Sequence, residues 1–170
     1  MTRENLVNEG AFDYELRTQT NSNFTELYAK TQASAVTSAL TKNASTTLES
    51  ITGLSATLVA GGTYVVRVVL PCTAGASGGI KVALNTSDTL TLTSSNITAK
   101  IMTASALAVA TTTSGLNTGV GATSAAVLVE LSATVVVNAA GTLVVQAAQN
   151  ASNGTDTVVL ANGSMTVIRV

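Results

Sequence analysis

Any catalysis by this chain would have to run on scattered carboxylates and a single thiol. There is no His and only one Cys. The commonest general base and metal ligand are therefore missing. Neither an intrachain disulfide nor a cysteine cluster for zinc can form. Cys72 follows the only proline, Pro71, at the end of an apolar run. No basic neighbour in sequence would lower its pKa, so it is expected to be a small, half-buried residue at a strand end. Glu49, Asp88, Glu130 and Asp156 are the carboxylates beyond residue 42. A glycosidase pair drawn from them would also want aromatic platforms, and Tyr64 is the one aromatic residue in this part of the chain. Glu130 lies between Val129 and Leu131, and alternation along a strand would turn it outward. Gly115–Gly121 is glycine-rich, but it lacks the Lys-Ser/Thr ending and the following helix of a phosphate loop. It reads as a loop. The expectation is a chain that is not an enzyme, with no metal, cofactor or small-molecule substrate.

The elements that would position these residues are mostly strands. Hydrophobic residues make up 46% of the 170 and aromatics 3%, so a core must be built from Val, Leu, Ile and Ala. The strand signals are Leu54–Val59, Thr63–Leu70 stopping at Pro71, Ile80–Leu84, Leu90–Thr93, Ile97–Thr103, Leu107–Thr112, Ala126–Val137, Thr142–Gln149, Asp156–Leu160 and Met165–Val170. Asn85–Asp88 reads as a turn, Ser94–Asn96 as a break, and Thr113–Ser124 as a loop. Asn138–Gly141 reads as the turn of a hairpin between the runs on either side of it. Strands at this spacing, with no helical crossover between them, predict a β-sandwich or barrel. Met165–Val170 is expected to be the closing, central strand.

The N-terminal part is physically different. Nine of the chain's seventeen charged residues precede residue 43. The first twenty residues have no sustained apolar period and read as an arm. Asn21–Leu40 predicts a helix of about five turns at 3.6 residues each, with Asn23 as N-cap and Glu26 completing a capping box. Phe24, Leu27, Tyr28, Thr31 and Ala35 would share one face. Its apolar part is dense in the first turn and thin afterwards, so Phe24, Leu27 and Tyr28 are the candidate partner-binding residues and the remainder reads as a spacer or weak seam. Thr41–Ser50 reads as a polar connector. The division expected is 1–45 for arm and helix and 46–170 for the sandwich.

Charge excludes some partners and hints at others. A net charge of −1 argues against a nucleic-acid or anionic-membrane surface. No apolar run approaches the roughly 18 residues of a membrane span. Met1–Asn5 lacks the start of a secretory signal, so use without Sec export is expected. Only 10% of residues are charged, so the solvent faces of the sheets must be Thr, Ser and Ala. Charged edges normally keep strands from pairing with other chains. Burial of part of the outer surface in a homotrimer would remove that hazard.

Two stretches carry a family resemblance. Asn21-Ser-Asn-Phe-Thr-Glu-Leu-Tyr-Ala-Lys resembles a helix opening found near the N-termini of tailed-bacteriophage virion proteins, including tail-fibre, head-fibre and decoration proteins. Gly141–Thr155 and Val158–Val170 resemble the end of a C1q/TNF-like jelly roll, a trimeric sandwich whose length suits residues 46–170. The resemblance implies a mainly β chain, a jelly-roll β-sandwich preceded by an N-terminal arm and helix. It also implies a capsid decoration (cement) protein on the outer capsid surface of the virion, made in the host cytoplasm, a homotrimer whose partner is the major capsid protein. The alternative it implies is a head-fibre or tail-fibre/receptor-binding protein attached by the same helix.

Overall fold

In the computed structural model, the described residues are 19, 21, 30–87, 89–104, 107–113, 116 and 119–170, with the backbone path alone for 107–113. Thr63–Thr73 (β4) shows why these segments become strands. Tyr64, Val66, Val68, Leu70 and Cys72 are buried, while Val65 and Arg67 between them are exposed. Such alternation gives one apolar face, which must be covered. Ala126–Ala139 (β9) does the same with Val129, Leu131, Ala133, Val135 and Val137.

The cover comes from a second sheet. The larger sheet runs Thr31–Ala35 (β1), Ser164–Arg169 (β12), β4, β9, Thr91–Thr103 (β6) and Leu107–Thr113 (β7), with Thr157–Val159 (β11) and Leu40–Lys42 (β2) joined to it beside β4. The smaller runs Glu49–Leu58 (β3), Gly141–Ala148 (β10), Ile80–Ser87 (β5) and Val120–Ala122 (β8). Every pairing described is antiparallel. Leu54, Leu58, Leu84 and Leu143 from the smaller sheet and Val66, Ile97, Leu131 and Met165 from the larger belong to one buried cluster. The protein is mainly β, a two-sheet sandwich, and β12 is an interior strand between β1 and β4 as expected.

Several local expectations are corrected. Thr31–Ala35 is a strand and Leu40 opens another, so the predicted helix does not extend through Leu40. Small residues such as Ala33 and Ala35 carry little intrinsic commitment, and pairing with β12 decides their state. The Thr41–Ser50 connector supplies most of β2 and the start of β3. β5 continues to Ser87 through the expected turn, because Asn85 and Thr86 pair with Val144 and Leu143. Ser94–Asn96 is no break: it pairs in regular register with Val136, Val135 and Thr134 inside one long β6, and the register shift lies just before it, between Leu92 and Ser94. The 113–124 loop contains the short β8.

Pro71 does not end β4. Its carbonyl accepts from the Leu160 amide, and a strand residue's amide and carbonyl face the same neighbour. The missing N–H therefore falls where the turn between β11 and β12 interrupts the ladder, and costs no strand hydrogen bond.

The largest correction concerns Asn138–Gly141. The runs on either side do not form a hairpin. β9 pairs with β4 and β6, whereas β10 pairs with β3 and β5. The segment crosses from one sheet to the other. At the crossing Gly141 sits so close to Leu90 that a Cβ would collide with the Leu90 backbone.

One open side of the sandwich is sealed by a side chain. Gln32 on β1 donates from Nε2 to the Thr57 carbonyl (2.7 Å) and accepts at Oε1 from the Thr57 amide (3.1 Å). It occupies edge positions of β3 that another strand could otherwise take. Gly53, with φ +95°, lets β3 pass under β1, where a Cβ would strike the Ala35 carbonyl oxygen. Gly53→Ala is expected to cost roughly 2–4 kcal/mol from strain and overpacking, and Gln32→Ala about 1–2 kcal/mol from two lost bonds. Urea midpoints of the two variants, at unchanged m-value, would check both.

Candidate functional site

The expected chemical residues do not converge. Cys72 is 2% exposed, fully rather than half buried, near the end of β4. Burial pushes its thiol from 9.0 up to about 11, so the nucleophilic thiolate is scarce at neutral pH. Alkylation at pH 8 is therefore expected only after unfolding. The shift also sets a pH slope. The folded state holds the proton to a higher pH than the unfolded chain, so stability falls as pH rises from about 9 towards about 11. Cys72→Ala should lack that part of the slope in denaturation curves run across this range.

Two of the four carboxylates are engaged structurally. Glu49 pairs with Lys42 at 2.8 Å. Asp156 accepts from Asn43 Nδ2 at 2.6 Å. Glu130 faces outward on β9 beside Lys100 of β6, with Val129 and Leu131 both buried as expected. Asp88 lies outside the described residues. Among the described residues no three of His, Cys, Asp or Glu gather as metal ligands. Tyr64 is buried, and its hydroxyl accepts from the Val59 amide at 3.0 Å, so it is a core residue and not a sugar platform.

A polar cluster that sequence reading missed sits at one end of the sandwich. Gln149 is 0% exposed. Its Oε1 accepts from the Ser45 and Asn153 amides, and its Nε2 donates to the Asn153 and Thr155 carbonyls. Asn43 ties Gly154 and Asp156 to the same end, and the buried Thr157 hydroxyl donates to the Gly79 carbonyl at 2.9 Å. Only the Asn-Ser-Thr-Gly density of 149–157 hinted at this, and it could equally mark an ordinary turn. Fully satisfied buried polar groups rigidify what they join. This cluster therefore works as a fastener for three loops, those between β2 and β3, β4 and β5, and β10 and β11.

What the molecule does present is surface of unusual chemistry. The outward residues of the smaller sheet include Thr52, Ser55, Thr57, Thr142, Val144, Gln146 and Asn85. Those of the larger sheet include Thr31, Ala33, Thr166, Val65, Ser132 and Thr134, with Arg67, Lys100 and Glu130 as charges among them. A shallow groove of about 250 Å³ on this face is lined by Val65, Asn96, Thr98, Ser132, Ala133 and Thr134. Beside it, Val65 and Ile168 are register neighbours at 40% and 42% exposure, and Val170 follows at 73%. The expected partner-binding residues Phe24, Leu27 and Tyr28 lie outside the described residues. The structure does place the point where their segment joins the body: the Arg169 amide donates to the Lys30 carbonyl at 2.7 Å, at the same end of the same sheet.

No protein-family model matches the chain, and no curated protein matches it. Solved structures give distant likenesses. One is the tripod (BppUct-A-L) from the baseplate of bacteriophage Tuc2009, at TM-score 0.31 and 11% identity, covering 78% of this chain and 64% of that one. Another is infectious bursal disease virus, Gt strain, at TM-score 0.23 and 11% identity, covering 82% and 42%. A third is the infectious bursal disease virus VP2 subviral particle, at TM-score 0.22 and 10% identity, covering 82% and 41%. The chain thus spans less than two thirds of each of these structures.

Proposed function

We propose that this chain is a structural protein of a tailed-phage virion, a capsid decoration protein that acts without catalysis or cofactor. Strand order is the observation that carries the reading. With β1, β3, β4, β5, β8, β9, β10 and β12 lettered A to H, the sheets run A-H-C-F and B-G-D-E. That is the jelly-roll order, two Greek keys wrapped into a sandwich, and it supports the resemblance of the C-terminal stretch. The β6–β7 hairpin is then an insertion between D and E that widens the larger sheet.

In this reading the body is one subunit of a homotrimer, and the nearly uncharged sheet faces are suited to contact with copies and with the major capsid protein. The segment before Thr31 is the attachment device, with Phe24, Leu27 and Tyr28 as its sticky residues. Each contributes roughly 1.5–3 kcal/mol at most when buried, and three linked copies convert weak contacts into firm attachment. A protein that binds the closed lattice better than free capsid subunits stabilises the shell by mass action.

Electron microscopy of virions labelled for this protein tests the role. Many copies spread over the shell are expected. A few copies at one vertex or on the tail would overturn decoration in favour of a head-fibre or tail-fibre protein.

A further inference from the structure

We infer that the apolar patch Val65–Ile168–Val170 on the outer face of the larger sheet is a docking site for this chain's own residues 24–28, which it holds until a partner takes them. The inference rests on the reading of Phe24, Leu27 and Tyr28 as the adhesive residues of the attachment segment.

Three observations converge. Val65, Ile168 and Val170 are three of the six large hydrophobic residues that stand exposed among the described residues. They gather at one end of one face: Val65 and Ile168 pair across β4 and β12, and the Val170 amide donates to the Thr63 carbonyl. Exposed apolar side chains gathered at one spot mark a contact site more than the same residues scattered singly.

The chain outside the described body begins at that spot. Lys30 is bonded to Arg169, and Thr31 is the register neighbour of Ile168. A chain advances at most about 3.3–3.6 Å per residue, so Tyr28 starts within about 11 Å of Thr31 and Phe24 within about 25 Å. Strands lie roughly 4.8 Å apart. From β1, across β12 to β4, is thus about 10 Å, within reach of the whole trio.

Composition selects these residues as the occupant. Phe24, Leu27 and Tyr28 fall within five residues, and the segment ahead of them carries most of the N-terminal charges. The three side chains of the patch, two Val and one Ile, are uncharged and suit an apolar or aromatic occupant. Tethering also gives the segment an effective concentration in the millimolar range, which a second copy at ordinary dilution does not match.

The native thiol makes the test clean, since Cys72 is buried and its thiol is pushed up to about 11. The variant Thr25→Cys/Val65→Cys, which leaves Phe24, Leu27 and Tyr28 in place, is to be exposed to oxidised glutathione, which takes up the two electrons of disulfide formation. The control is Thr25→Cys/Ser55→Cys, whose second position is on the outer face of the other sheet. The expected result is an intrachain disulfide, a compact monomer band on a non-reducing gel, formed at least ten-fold more in the test pair than in the control. Equal linking in both pairs, no linking, or mainly interchain dimers would overturn the inference, the last in favour of a second copy as occupant. Shell binding separates this from the attachment reading. The oxidised test pair should fail to bind empty capsid shells and regain binding on reduction. A linked pair whose reduced form, like the wild type, ignores shells sinks the attachment reading while leaving the docking result standing.

Discussion

Replacing Gln149 by Ala is expected to destabilise the protein by about 3–5 kcal/mol. The side chain is completely buried and makes four hydrogen bonds, two to amides and two to carbonyls. Each is worth about 0.5–1.5 kcal/mol net, and each partner left unsatisfied in the interior costs about 1–3 kcal/mol. Water entering the cavity would recover part of this, which keeps the figure below the simple sum. Against a total stability on the order of 5–15 kcal/mol, the loss is severe. Gln149→Glu should be at least as damaging, because a carboxylate cannot donate to the Asn153 and Thr155 carbonyls and buries a charge. Chemical denaturation of both variants beside Asn150→Ala, which loses one exposed bond to Thr123, would check the ranking. A Gln149→Ala midpoint indistinguishable from wild type would refute the account of the fastener.

The second large effect separates two truncations that look similar in sequence. Removing residues 1–29 is expected to leave a folded, trimeric body that no longer binds shells. Removing residues 1–40 is expected to unfold it or cause aggregation. The longer deletion takes β1 away from β12, removes the Gln32 seal from β3, and removes the buried Val36, whose amide donates to Gly163. It would expose the edge of β12, an uncharged run from Ser164 to Ile168 with high tendency to pair with other chains. Circular dichroism and size-exclusion profiles of the two truncated chains distinguish them. A well-folded 41–170 body would show that β1 is dispensable. A 1–29 deletion that coats shells at wild-type occupancy would overturn the role given to the N-terminal segment.

The mainly β class, the positions of most strands and the outward turn of Glu130 were legible in sequence, because each follows from local alternation of apolar and polar residues. The place of Cys72 near a strand end was legible too, although its full burial was not. Where sequence reading failed, the competing influence was long-range. Thr31–Ala35 carries a helix-compatible composition, yet its partners lie more than 125 residues away in β12. Val135–Val137 and Leu143–Val145 look like two arms of a hairpin, yet they serve different sheets.

The body's division of labour follows from that contrast. By itself the sequence determined that a chain rich in Val, Thr and Ala and poor in charge would bury alternating strands, and that no His, Cys or aromatic cluster stood ready for catalysis. Only the tertiary structure decided which strands pair, why Pro71 is tolerated within β4, and how Gln149 finds four partners. It also decided that the chain before Thr31 joins the body beside Val65, Ile168 and Val170. The reason is physical. Alternation within a strand is a property of neighbours in the chain, whereas pairing and polar satisfaction depend on which distant segments can cover one another's apolar faces without leaving a buried amide or carbonyl unbonded.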